Sequence, residues 1–178
     1  MGSTRLPNKV MKAIGGVPII ELLLARLARS TELDQIIVAT SVDPRNQVLA
    51  AHVQSLGYVC ELGSENDVLD RFIQAGTRHS ADVVVRITGD CPMVDPLLVD
   101  ECVKRFRLAG VDYFSNVSPP TYPDGLDIEV VKMAALVRAA QESDRPYDHE
   151  HVTPYIRESG RFSVAGMQND EDLSGLRW

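Results

Sequence analysis

An α/β fold of parallel βαβ units is predicted by three features of the first 110 residues. Short β-branched runs alternate with longer amphipathic runs, Pro and Asp stand where the longer runs begin, and Gly stands where several end. Strands separated by helices of this length join through right-handed crossovers, which lays them parallel in one sheet. A chain of 178 residues is enough for one such domain with its own core, so residues 1–178 read as a single unit.

Val10 to Ile14 is a short apolar stretch, broken by Gly15-Gly16. Pro18 suits a first helical position, and Ile19 to Leu27 forms a strongly apolar helix with Glu21, Arg26 and Arg29 on its wetter side. Gln35 to Thr40 is a buried strand by its β-branched content. Asp43-Pro44 opens a helix that runs to about Leu56, where Gly57 stops it. Tyr58 to Glu61 is a short strand, and Asn66 or Asp67 caps a helix reaching His79. Asp82 to Ile87 is the clearest strand, and Asp95-Pro96 starts a helix that ends near Ala109-Gly110.

Beyond Val111 the rhythm changes. Asp112 to Asn116 reads as a strand and Ser118 to Gly125 as a rigid turn-rich loop. Leu126 to Val131 alternates as a strand, Lys132 to Ser143 is helical, and a second helix covers Pro146 to Ser159. Phe162 to Gly166 and Leu176 to Trp178 complete the list as short strands.

Hydrophobic residues at 44% and charged residues at 24% are globular values. No apolar run is long enough to span a membrane, and the polar start lacks the apolar segment of a signal peptide. The net charge of −7 argues against a general nucleic-acid binder. Cys60, Cys91 and Cys102 are odd in number, widely spaced and form no metal-ligand pattern, which points to reduced thiols and a cytoplasmic location.

The stretch Met1-Gly2-Ser3-Thr4-Arg5-Leu6-Pro7-Asn8-Lys9 suits a polyphosphate. Gly2 lets backbone approach a ligand, Ser3 and Thr4 add hydroxyls, Arg5 offers a planar fork and Lys9 a mobile charge. The same residues also describe a solvated N-terminus. Asp90 follows the Val83–Ile87 strand and Thr88-Gly89, where open sheets bind ligands. It is either a hard oxygen ligand for Mg²⁺ or a turn residue satisfying local N–H groups. Asp127 and Glu129 alternate on one strand face, which serves sugar hydroxyls, a general base, or simply solvent. Asp67 and Arg71 have the spacing of a helical ion pair, and Arg86, in an apolar strand, needs a partner such as Asp67 or a ligand. His149 and His151 point to different helix faces, so a shared zinc site is not expected.

Gly2-Ser3-Thr4-Arg5-Leu6-Pro7-x-Lys9 resembles the signature loop of sugar-activating cytidylyltransferases, nearest the spore-coat-polysaccharide branch and related to the acylneuraminate and 3-deoxy-manno-octulosonate enzymes. The likeness continues, in order, through Gly63 to Arg71, Arg86 to Pro92, Gly125 to Val130 and Glu150 to Ile156. It implies a three-layer α/β/α, Rossmann-like nucleotide-diphospho-sugar transferase fold with a mostly parallel sheet. Residues 1–110 would be the nucleotide-binding half and 111–178 the sugar-facing and dimer-facing half. The implied reaction is attack of a sugar or sugar-acid hydroxyl on the α-phosphate of CTP, releasing pyrophosphate. Arg5, Lys9 and Asp90 would be catalytic, with Asp90 holding Mg²⁺. Gly2, Ser3, Thr4, Arg5, Lys9, Ser64, Asp67 and Arg86 would bind nucleotide, and Asp127, Glu129 and His151 the acceptor. Tyr155 would share the face of His151, and a homodimer is implied. Alternatives are another nucleotide-sugar transferase of this fold, or a nucleotide-binding subunit without turnover. The family enters the Gly2 loop from a strand and continues past the position of Trp178 into a segment with a second metal-ligating Asp. The chain therefore reads as cut at both ends, with apolar surface expected on the neighbours of a central strand.

Overall fold

The computed structural model describes residues 8–177. Gly15 and Gly16 take positive φ values of 60° and 88° and turn the chain between two short antiparallel strands, β1 (Ala13–Ile14) and β2 (Val17–Pro18). Helix α1 (Ile19–Leu27) follows and buries Ile20, Leu23, Leu24 and Leu27, the i, i+3, i+4, i+7 stripe of a surface helix. Strand β3 (Ile37–Ser41), helix α2 (Gln47–Ser55) and strand β4 (Val59–Gly63) make the first parallel crossover, with Ile37 opposite Val59 and Ser41 opposite Gly63. The Asp43 carboxylate accepts from Arg45 N–H and opens a 3₁₀ turn ahead of α2.

Helix α3 (Val68–Arg78) is capped by Asp67, whose Oδ1 accepts from the Asp70 N–H at 2.8 Å. Strand β5 (Val83–Arg86) leads to helix α4 (Pro96–Ala109), which has Asp95 as N-cap and Gly110, at φ 66°, as the left-handed stop. These caps are worth about 1 kcal/mol each and lie where the sequence places them. Strands β6 (Tyr113–Ser115) and β7 (Glu129–Lys132) follow, then α5 (Met133–Glu142), α6 (Pro146–His151), α7 (Pro154–Glu158) and β8 (Val164–Gly166).

The strand order β5-β7-β6-β8 has β7 antiparallel to both neighbours and β6 parallel to β8. The later half of the chain thus enters the sheet of the earlier half. Successive residues point to opposite faces and so divide the core in two. Val85, Phe114 and Val130 pack with α1 and α4, while Val84, Tyr113 and Val131 pack with α3, α5 and α7. Val130 and Val131 are fully buried, each contributing about 1.5–3 kcal/mol of transfer free energy. This is the three-layer α/β/α arrangement.

Three elements depart from the sequence reading. The strand predicted over Leu126–Val131 is paired only at Glu129–Lys132; ahead of it the Asn116 side chain donates to Leu126 O and accepts from Ile128 N–H. The helix predicted over Pro146–Ser159 is broken at Val152, which is buried at φ 75°. At the C-terminal end, the predicted strand is a single bridge between Asp124 and Arg177. Among the described residues β3 and β5 do not pair, and a slot of about 530 Å³ lies between them, lined by apolar groups such as Leu24, Val38, Phe72 and Val85. Val83, which lines this slot, is 39% exposed.

Candidate active site

Asn8 adopts a left-handed conformation, and the 3₁₀ turn Lys9–Met11 after it sets Lys9 against the carboxyl end of β5. Val10 lies beside Gly89, where an added Cβ would come within 3.5 Å of Val10 Cγ1. The Lys9 ammonium then forms an ion pair with the Asp90 carboxylate. Burial pushes the Asp90 carboxyl up, but Lys9 and the Thr88 hydroxyl pull it down, and it ends below its ordinary value. An ionised oxygen pair is therefore available at neutral pH.

Next to this pair is a second cavity of about 210 Å³, bounded by Arg86, Thr88, Asp127, Glu129, His151 and Arg157. Arg86 and Glu129 are directly opposed across β5 and β7 and form an ion pair. Glu129 also accepts from the Tyr113 hydroxyl at 2.7 Å and from the Thr153 hydroxyl at 2.5 Å. Asp127 stands at the lip of the cavity. Burial first, then the charges of Asp124 and Glu129, push its carboxyl above the usual range. Asp90 adds to that push, so the two carboxylates sense one another.

The sequence profile of the family described as cytidylyltransferase matches residues 1–168. The chain belongs to the cytidylyltransferase family. It is 43% identical over 179 residues to an uncharacterized protein of Methanocaldococcus jannaschii, covering 99% of this chain and 72% of that protein. It is 36% identical over 163 residues to the spore coat polysaccharide biosynthesis protein SpsF of Bacillus subtilis, covering 88% of this chain and 66% of that one. A solved cytidylyltransferase of Leptospira borgpetersenii superposes with a TM-score of 0.94 at 29% identity, over 99% of this chain and 76% of that chain. The chain thus spans 66% to 76% of the length of these relatives.

Within the cytidylyltransferase fold, the structure brings Lys9 to Asp90 and gathers Arg86, Asp127, Glu129 and His151 around the adjoining cavity. Gly2, Ser3, Thr4 and Arg5 lie outside the described residues. Two expectations are corrected. Asp127 and Glu129 do not share a wet strand face: Glu129 is 4% exposed and its carboxylate is fully engaged by its three donors. The ring of His151 is set 4.5 Å from that of Tyr147, and the break at Val152 separates it from Tyr155.

Ser64 and Asp67 lie in the loop that caps α3 and do not line the cavity. Ser64 Oγ accepts from the Asp67 N–H, and Ser64 O accepts from Arg71 Nη1. Among the described residues the Asp67 carboxylate forms no ion pair with Arg71 or Arg86; Arg86 pairs with Glu129 instead. Asp67 Oδ2 lies 2.7 Å from His149 Nδ1, while His149 Nε2 lies 2.8 Å from Ser143 O. The Ser143 carbonyl and then the Asp67 carboxylate hold the imidazole above its ordinary pKa, because both ring nitrogens face acceptors and the doubly protonated ring satisfies both. This clasp joins α3 to α6, and sequence spacing could not reveal it across 82 positions. A raised His pKa stabilises the fold fully below the unfolded value and loses that stabilisation as pH rises through the folded value. Thermal stability should therefore fall from pH 6 upward through the raised His149 value, and His149→Gln should flatten that part of the profile. A wild-type-like slope in His149→Gln would contradict the clasp.

Arg157 and Thr153 were missed in the sequence. Both line the cavity, and the only hint was their i, i+4 spacing across Thr153-Pro154-Tyr155-Ile156-Arg157.

Proposed function

We propose that this chain carries the nucleotidyl-transfer centre of a sugar cytidylyltransferase. It joins CMP from CTP to a hydroxyl of a sugar or sugar acid and releases pyrophosphate, for surface-polysaccharide or spore-coat synthesis. The observation that carries this reading is the Lys9–Asp90 ion pair at the carboxyl end of β5, in a member of this family and beside a polar cavity.

Lys9 binds the triphosphate and opposes the negative charge that grows on departing pyrophosphate, with Arg5 and the Gly2-Ser3-Thr4 segment assigned the same task. Donors aimed at charge that develops late lower the barrier more than they tighten the ground state. The acceptor hydroxyl, held in the cavity, forms its bond to the α-phosphorus as the bond to pyrophosphate breaks. Asp127, whose raised pKa suits a base, takes the hydroxyl proton.

Asp90 would hold Mg²⁺. Among the described residues no three His, Cys, Asp or Glu side chains converge, but Mg²⁺ needs only one or two carboxylates when phosphates and waters complete its shell. The low-lying, ionised Asp90 fits that requirement. When bound, the ion supplies charge neutralisation at the phosphate oxygens. We further assign a homodimer and a cytoplasmic setting. The three free cysteines and the absence of a membrane-length apolar helix among the described residues accord with the second.

Pyrophosphate release measured with CTP, UTP, GTP and ATP against a panel of sugars and sugar acids tests the reading. Release with CTP and one acceptor class is expected. Binding of CTP without release from any acceptor would instead indicate a nucleotide-binding subunit. Asp127 gives a finer check: the acid limb of kcat/KM should lie above the ordinary carboxylate range, and Asp127→Asn should lower kcat and remove that limb. An unchanged limb would take the base role from Asp127.

A further inference from the structure

We propose that Lys9 and Asp90 form a latch: the Lys9 ammonium keeps the carboxylate closed to a divalent ion until a triphosphate draws the lysine away. The proposal rests on the reading of Asp90 as the Mg²⁺ ligand and Lys9 as a phosphate ligand, and it adds an order to their loading. The two groups meet in an ion pair, so one carboxylate has two cationic claimants. A divalent ion arriving alone must displace an ammonium already in contact with its ligand, and the two like charges repel at that distance.

The halves of the latch are built differently. Asp90 is the fixed half. It stands in a turn closed by the Cys91 N–H, which donates to Thr88 O at 3.2 Å. The Cys91 side chain is buried, with its Sγ 2.9 Å from the Thr88 hydroxyl. Lys9 is the movable half. It lies on a 3₁₀ turn of three residues, none of them buried, and among the described residues Asp90 is its one ion-pair partner. A lysine is a point charge on a flexible stem, so it changes partner without moving backbone. Side-chain exposures of 31% and 37% leave the pair open to an anion from solvent. A triphosphate sets several negative charges against the single one of the carboxylate, and takes the ammonium. The exchange leaves each charge matched, with Lys9 on phosphate oxygens and the ion shared by Asp90 and the phosphates. Asp127 favours the second step, because its carboxylate and that of Asp90 sense one another once Lys9 has left. The ion is thereby admitted only in company with the nucleotide.

Mn²⁺ is the probe, because it takes the same oxygen ligands and its free form is read directly by electron paramagnetic resonance. Titrations without nucleotide compare wild-type protein, Lys9→Met, Lys9→Arg and the double variant Lys9→Met with Asp90→Asn. Lys9→Met should bind Mn²⁺ about tenfold more tightly than wild type, since loss of a competing ion pair and of a like charge both favour the ion. Lys9→Arg keeps the cation and should bind Mn²⁺ no more tightly than wild type. The double variant should lose the gain, which places the ion on Asp90. Calorimetry of CTP in EDTA reads the other half: Lys9→Met should weaken metal-free binding about tenfold. Equal Mn²⁺ affinity in wild type and Lys9→Met would overturn the latch. A gain that survives Asp90→Asn, or metal-free CTP binding unchanged by Lys9→Met, would overturn it too. None of these readouts needs turnover. An absence of pyrophosphate from CTP with every acceptor sinks the cytidylyltransferase reading instead, and the nucleotide-free Mn²⁺ comparison separates that outcome from a failure of the latch.

Discussion

Asp90→Asn should lower turnover with CTP by about a thousandfold or more, the upper range for loss of one electrostatic partner at a phosphoryl or acyl centre. The substitution is nearly isosteric, so the change is one of charge. Asn offers a single neutral carbonyl where a hard divalent ion needs an ionised oxygen. It also releases Lys9 from its carboxylate. Stability should scarcely move, because both side chains keep about a third of their surface in water (31% and 37%) and exposed pairs of this kind contribute about 0–1 kcal/mol. The prediction is thus a large kinetic loss in a protein that melts normally. Near-wild-type turnover, or loss of turnover with a large fall in melting temperature, would contradict it.

Glu129→Ala should have the opposite signature, with stability hit first. Glu129 receives Arg86, Tyr113 and Thr153 in one buried carboxylate, and it links β5, β6, β7 and the segment leading into α7. Removing it leaves the Arg86 guanidinium, 19% exposed, without its partner. Breaking a buried pair from one side costs about 3–5 kcal/mol, and the partial exposure of Arg86 favours the lower figure, about 3 kcal/mol. For a chain of this length that is a fall of about 6–12 °C in melting temperature. Asp127→Ala, two residues away at the lip, should cost under about 0.5 kcal/mol. Equal losses for the two would show that Glu129 is not the buried anchor described here.

The contrast between Asp127 and Glu129 shows what sequence pattern could and could not carry. Local chemistry was legible. Asp95, Asp67, Gly57 and Gly110 announced their helix ends because capping depends on neighbours three or four residues away. The Val83–Ile87 strand was legible from β-branched density. The Lys9–Asp90 meeting, by contrast, was anticipated only through family likeness, since 81 positions separate the two residues. Glu129 looked like half of an exposed alternating pair. Its burial follows from its position opposite Arg86 and beside Ser115, which is a matter of register between strands far apart in the chain. The break at Val152 was legible and was overrun: Pro154 has no N–H to continue a helix and disfavours helical backbone at Thr153, so it starts α7 afresh. What local sequence could not show is that Thr153 then reaches Glu129 from the new turn. Arg157 became visible only once that turn placed it over the cavity.

The most direct measurement of the central claim, that Lys9 and Asp90 jointly hold the phosphates and their ion at the mouth of the sheet, is calorimetric titration of CTP with and without Mg²⁺. In the wild-type protein Mg²⁺ should tighten CTP binding by about tenfold, a typical coupling between sites that share a ligand. In Asp90→Asn that gain should vanish while residual, Lys9-dependent binding persists. An equal gain from Mg²⁺ in Asp90→Asn would place the ion elsewhere and contradict the account.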